Sequence, residues 1–195
     1  MANSNNKVKY GLKNVYYAVA TIADDGSATY ATPVKWPGAV SLSLDAEGDT
    51  NKFRADNIDY YVSQSNSGYS GDFESALIPE SFYTDVLGYV KDSNNVLVED
   101  AAAKTVSFAL MFQFEGDVKA TRHVLYNCTC TRPSLESETT DETIEPKTET
   151  ASLTAVSVYN KSLDMDIVKA KTNAETSAET YNAWFETVYQ PTAAA

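Results

Sequence analysis

The run Thr105-Val-Ser-Phe-Ala-Leu-Met-Phe-Gln-Phe-Glu115 decides the fold. Val106, Phe108, Leu110, Phe112 and Phe114 alternate with Thr105, Ser107, Ala109, Met111, Gln113 and Glu115. That is period two, which sends successive side chains to opposite faces of a strand. Glu115-Gly-Asp117 is a turn signal, and residues 118–131 read as a second long strand, so the two make an extended hairpin that serves as the spine of the fold. The same logic places strands at 14–23, closed by the turn Asp24-Asp-Gly-Ser27, and at 40–44, 58–63, 72–77 and 151–160. Asn66-Ser-Gly-Tyr-Ser-Gly71 breaks the chain between the strands at 58–63 and 72–77. Many short strands separated by Gly, Asn and Asp predict a mainly β sandwich or barrel, a single domain over residues 1–195.

Two stretches switch to helical spacing. In Ile78-Pro-Glu-Ser-Phe-Tyr-Thr-Asp-Val-Leu-Gly88, proline suits the first helical position and glycine the end, while Phe82 with Val86 and Tyr83 with Leu87 pair at i and i+4. A C-terminal amphipathic helix begins near Thr176, where Thr-Ser-Ala-Glu179 fits a capping box. It carries Tyr181, Trp184, Phe185, Val188 and Tyr189 as one apolar stripe that either covers the sheet or docks on another subunit. A long inter-strand loop is expected at 45–57, with Asp45, Glu47, Asp49, Lys52, Arg54 and Asp56 as its charges. A Thr- and Glu-rich loop at 134–150 holds Glu136, Glu138, Asp141, Glu142, Glu145 and Glu149 against Lys147 alone.

The net charge of -12 argues against a conventional grip on nucleic acid. Cys128 and Cys130 are too few for a disulfide framework, no leader is read at the N-terminus, and no apolar run approaches a membrane span. The expectation is a soluble chain made in a cytosol. His123 is the one imidazole, and Ser70 in Gly68-Tyr-Ser-Gly71 lacks the spacing and the strand-to-helix turn of a nucleophile elbow. On a continuous strand Cys128 and Cys130 point one way and His123 the other, so no metal set forms and the cysteines read as small hydrophobes. Asp164 and Asp166 share a strand face without the spacing of a calcium loop. No cofactor is expected. An acidic glycosidase, or a β-sandwich carbohydrate-binding module using Trp36, Trp184 or the 13 tyrosines, stays open as the alternative.

Ordered segments then carry a resemblance. They are Lys9-Tyr-Gly-Leu-Lys-Asn-Val-Tyr-Tyr-Ala18, Arg54-Ala-Asp-Asn57, Ile78-Pro-Glu-Ser-Phe82 through Leu87-Gly-Tyr89, residues 108–117, Arg122-His-Val-Leu-Tyr-Asn-Cys-Thr-Cys-Thr-Arg-Pro133 and the Thr- and Glu-rich stretch after it. Together they span most of residues 9–158, and the chain so resembles the major tail tube proteins of long-tailed, non-contractile phages. The resemblance implies a structural virion protein and not an enzyme. Its subunits form hexameric rings stacked into a hollow tail tube, assembled in the host cytoplasm around a tape-measure protein. Tail terminator and distal tail or baseplate proteins close the ends, and double-stranded DNA passes as non-specific cargo, with no membrane involved. Within that reading the 45–57 loop reaches the next ring, and Ser107, Gln113 and Glu115 are candidates to face the lumen.

Overall fold

The computed structural model describes residues 5–139 and 146–193. In chain order it has β1 (Lys9–Ile22), β2 (Ala28–Tyr30), β3 (Val34–Trp36), β4 (Ala39–Glu47), β5 (Thr50–Ala55), β6 (Ile58–Gln64), β7 (Gly68–Ser75), α1 (Glu80–Asp85), β8 (Val90–Lys91) and β9 (Leu97–Val98). It continues with β10 (Phe108–Gly116), β11 (Thr121–Cys130), β12 (Glu149–Val156), β13 (Val158–Asn160), β14 (Met165–Ile167), β15 (Lys169–Lys171) and α2 (Ala178–Ala183). The architecture is mainly β and antiparallel, as the alternation predicts.

Nine strands form one sheet in the order β2-β1-β10-β11-β12-β7-β4, with β3 also on β1 and β15 also on β11. The predicted spine is its centre: β10 pairs with β1 on one side and β11 on the other. The sheet curls, because Trp36 on the β1 side reaches β7 from across the strand order. Its indole Nε1 donates to Ser75 Oγ at 3.2 Å, and its ring meets Phe73 at 4.9 Å between centroids. Inside the curl lies the first core, with Tyr17, Trp36, Phe73, Phe82, Phe108, Leu110, Leu125, Cys128 and Leu153. α1 plugs one end of it through Phe82, which is edge-on to Tyr17 and Phe108. Gly88, just past that helix, holds φ +78°, where a glycine costs least.

The outer face of β1, β10 and β11 carries a second core of Ala18, Ala109, Met111, Val124, Tyr126 and Val158, closed by Trp184 and Val188. The C-terminal stripe therefore covers its own sheet. Trp184 Nε1 donates to the His123 carbonyl at 3.3 Å, and Phe185 stacks on Tyr16 at 4.9 Å. The helix itself is shorter than the stripe: α2 stops at Ala183, and its N-cap is Ser177, whose Oγ accepts from the Thr180 amide, in place of Thr176. Thr176 instead accepts from the Asn173 amide at 2.9 Å.

Three further expectations are corrected. Residues 45–57 are not a loop. β4 runs to Glu47, β5 follows from Thr50, and the turn before β6 is only Asp56-Asn57, at φ 51° and 63°. Two left-handed residues in succession make the primed turn whose twist suits a hairpin. The acidic loop gives up Glu149 and Thr150 to β12; residues 134–139 are irregular, and the part of that expectation at 140–145 lies outside the described residues. Asp164, at φ 51°, sits in the turn before β14 and so shares no strand face with Asp166.

Candidate functional site

Two regions have chemistry left over once the cores are assigned. The first is the β5–β6 hairpin, an arm that continues the β4–β7 pair beyond the last residue of β12. Pairing of Phe53 with Tyr61 and of Ala55 with Ile58 puts these four on one face. Pairing of Lys52 with Val62 and of Arg54 with Asp59 puts the charges on the other, where Asp59 bridges Lys52 at 3.0 Å and Arg54 at 3.2 Å. Tyr60 is the extra residue of a bulge between the two sets. Phe53, Ile58, Tyr60 and Tyr61 are each at least 60% exposed. An isolated two-stranded ribbon is marginal in water, and contiguous exposed apolar side chains mark an interaction surface.

Of the residues expected to stack subunits, Lys52 and Arg54 lie on the arm, Asp56 in its turn, and Asp49 at its root, where Ser65 Oγ accepts from the Asp49 amide at 2.8 Å. Asp45 and Glu47 belong to the body strand β4. The strand expected at 58–63 includes Ile58 and Tyr61 of the arm's apolar face, whereas Phe53 and Ala55 fall in the stretch 45–57, which reads as charge.

The second region is the outer face of β4, β7 and β12. Strand register sets Ser41, Glu74 and Thr150 in one row; Ser43, Asp72 and Ser152 in the next; and Asp45, Ser70, Thr154 and, on β11, Thr129 in the third. The opposite face of the same strands carries Leu42, Leu44, Phe73, Ala151 and Leu153 in the first core. Hydroxyls hold the carboxylates: Glu74 accepts from Ser41 at 2.8 Å and Thr148 at 2.6 Å, Asp72 accepts from Ser152 at 2.7 Å, and Glu47 accepts from Ser70. The Thr148 and Ser41 hydrogen bonds lower the Glu74 pKa and keep it charged. None of these three strands carries a lysine or arginine.

Of the residues expected to face a lumen from β10, Gln113 is corrected, while Ser107 and Glu115 stay half-exposed. Ala109 and Met111, read there among the polar alternates, are fully buried under Trp184 and Val188. Gln113 is 7% exposed and enclosed within the chain, accepting from Arg122 Nε at 3.2 Å and donating to Glu115 Oε1 at 3.0 Å. Glu115 is half-buried and faces Lys13 Nζ at 3.7 Å, and Ser107 is half-buried, its backbone carbonyl accepting from the Ala20 amide at 2.8 Å. Arg122 is enclosed too, its guanidinium 3.8 Å from the Tyr181 ring centroid. The alternation was real, but alanine and methionine can serve a core as well as an exposed face.

His123 and the two cysteines also change places. Leu110 faces Leu125, whereas Phe108 faces Cys128, so β11 holds one residue more than β10 across this interval. That bulge reverses parity and brings His123, Leu125, Cys128 and Cys130 to the inner face. They still make no site. Burial pushes both thiols up to about 12, which leaves them protonated and unreactive. His123 stacks on Phe112 at 5.1 Å, and burial, reinforced by Lys171, Lys169 and Lys9, drives its pKa down to about 4. Among the described residues no group of three or more His, Cys, Asp and Glu is placed to hold a metal ion. No helix among them is long and apolar enough to cross a membrane. Trp36 and Trp184 are 1% and 3% exposed, so neither offers a flat surface to a sugar. No protein family, curated protein or solved structure is matched by this chain.

Proposed function

We propose that this chain is a structural subunit that assembles with copies of itself into stacked rings forming a hollow tail tube, through which double-stranded DNA passes as cargo. The observation that carries the reading is the arm, on whose apolar face Phe53, Ile58 and Tyr61 are left exposed among the described residues. Covering large apolar side chains returns on the order of 1.5–3 kcal/mol each. An arm built this way serves a partner, and in a homopolymer the partner is the next copy. The resemblance to tail tube proteins supplies the ring of six, the tape-measure protein inside it and the closing proteins at its ends.

In this reading the lumen wall is the hydroxyl and carboxylate face of β4, β7 and β12, in place of the β10 face. Duplex DNA presents about one negative charge per 1.7 Å. A wall bearing Asp45, Glu47, Asp72 and Glu74 and no cation would repel it and let it slide. The experiment is negative-stain microscopy of concentrated protein beside a variant in which residues 50–64 are replaced by a short turn. Rings or tubes from the intact chain, with folded but non-elongating variant, are expected; normal tubes from the variant would remove the arm from the account. Ser152→Cys in tubes should resist a bulky maleimide that labels it freely in the monomer. A persistent monomer that binds or cleaves a glycan would restore the carbohydrate alternatives.

A further inference from the structure

We propose that the cleft between the N-terminal segment, the turn after β10 and the segment after β15 binds a diphosphate group, free or carried on a small molecule. This goes beyond the assembly reading and does not rest on it, because it concerns one copy of the chain whether or not copies associate.

The cleft, of about 420 Å³, lies where residues 5–6, 118–121 and 171–174 meet. That size suits a small molecule. Hydrogen bonds fix its walls. Asn6 Oδ1 accepts from the Val118 amide at 3.0 Å and the Lys119 amide at 2.9 Å, and Asn6 Nδ2 donates to the Lys119 carbonyl at 2.5 Å. Gly116 makes room for this clasp, since a Cβ there would stand 2.2 Å from Asn6 Nδ2. On the opposite wall Thr172 is 3% exposed, its hydroxyl accepting from the Arg122 amide at 2.9 Å and its own amide donating to the Arg122 carbonyl at 2.9 Å. The cleft is therefore formed before a ligand arrives.

Its polarity points to the ligand. Lys119 comes from one wall and Lys171 from the other, and no Asp or Glu is among the lining residues, in a chain where acids outnumber bases 27 to 15. Lys119 Nζ stands 4.0 Å from the Tyr181 ring centroid, a contact that holds the ammonium without neutralising it. Lys171 is exposed and makes no ion pair among the described residues. Burial, then Lys171, Lys169 and Lys9, bring the His123 pKa down to about 4, an effect that a neighbouring carboxylate would oppose. Asn173 adds a donor: its Oδ1 accepts from the Glu175 amide at 2.9 Å and the Thr176 hydroxyl at 3.2 Å, which leaves Nδ2 for a ligand oxygen. Asn5 lines the cleft with a second side-chain amide. Lysine binds phosphate as a point charge, and a hydrogen bond to an ionised oxygen is about twice as strong as a neutral one. Two ammonium groups on separate walls match two linked phosphates better than one.

The test is isothermal titration calorimetry of the full-length protein at about 0.1 M salt, with pyrophosphate, inorganic phosphate and ADP as probes. Pyrophosphate is expected to bind saturably, one per chain, and about tenfold more tightly than phosphate. ADP bound as tightly as pyrophosphate assigns a diphosphate carried on a larger molecule; weaker ADP binding assigns the free anion. Lys119→Gln with Lys171→Gln, shown to be folded by circular dichroism, should weaken pyrophosphate binding at least about tenfold. Lys171→Gln alone, at an exposed position, should show part of that loss. Asn6→Ala keeps both lysines but unfastens one wall, and should weaken binding about threefold or more. Phosphate bound as tightly as pyrophosphate, no saturable binding, or wild-type affinity in the lysine variants or in Asn6→Ala overturns the site. None of these outcomes bears on whether rings or tubes form.

Discussion

Two hairpins of this chain start from the same antiparallel chemistry and end differently. β10–β11 is flanked by β1, β12 and β15, with Phe108, Leu110 and Leu125 in one core and Ala109, Met111 and Tyr126 in the other. Among the described residues β5–β6 pairs with nothing but itself, and its aromatic side chains stand in solvent. What separates them is cover. A strand pair gains stability from what lies on its faces, so the first hairpin holds the domain together and the second waits for something outside it.

The largest effect that would break this contrast lies in the body. Trp36→Ala should cost about 3–5 kcal/mol by leaving a void against Phe73 and Phe82. Chemical denaturation should report a loss of that size, and one under about 1 kcal/mol would mean the curl does not depend on this contact. On the arm, Phe53→Ser with Tyr61→Ser should move monomer stability by no more than about 0.5 kcal/mol while abolishing elongation. A large loss of monomer stability there would show that the arm is held by its own chain after all.

A third effect depends on pH. His123 has its pKa lowered to about 4 against 6.5 for an ordinary imidazole, first by burial and then by three lysines. Between those values the unfolded chain binds a proton that the folded chain refuses. Stability therefore falls as pH drops from about 6.5 to about 4, and His123→Phe should flatten that part of the thermal denaturation profile. An unchanged slope in the variant would assign it to carboxylates instead. The smallest effect concerns Tyr126, whose hydroxyl is buried with no hydrogen-bond partner among the described residues. Tyr126→Phe should be neutral or stabilising by up to about 1 kcal/mol in the same measurement, and a destabilisation would reveal a partner.

Legibility followed the same line between covered and uncovered. The spine, the strand at 72–77, the strand at 151–160 and both helices could be read because each carries a strong period or a cap. Of the arm, the strand at 58–63 could be read and returns as β6, but its first strand could not, since β5 reads as Asn51-Lys-Phe-Arg54, with one apolar residue among polar ones. Its turn lacks the glycine that would have announced it, relying on Asp56 and Asn57 to tolerate the left-handed region. The short strands β2, β3, β8, β9, β14 and β15, of two or three residues each, exist by virtue of their neighbours and leave no local pattern.

By itself the sequence determined the mainly β class of the fold, the buried character of the cysteines and the apolar stripe near the C-terminus, because these depend on residue type at a short, fixed spacing. Only the tertiary structure decided which face of β10 is covered, that a bulge in β11 turns His123 toward the inner face, and that residues 50–57 belong to a projecting hairpin. Those outcomes depend on which distant segment arrives to bury a surface. Met111 reads the same in sequence whether or not Trp184 lies over it.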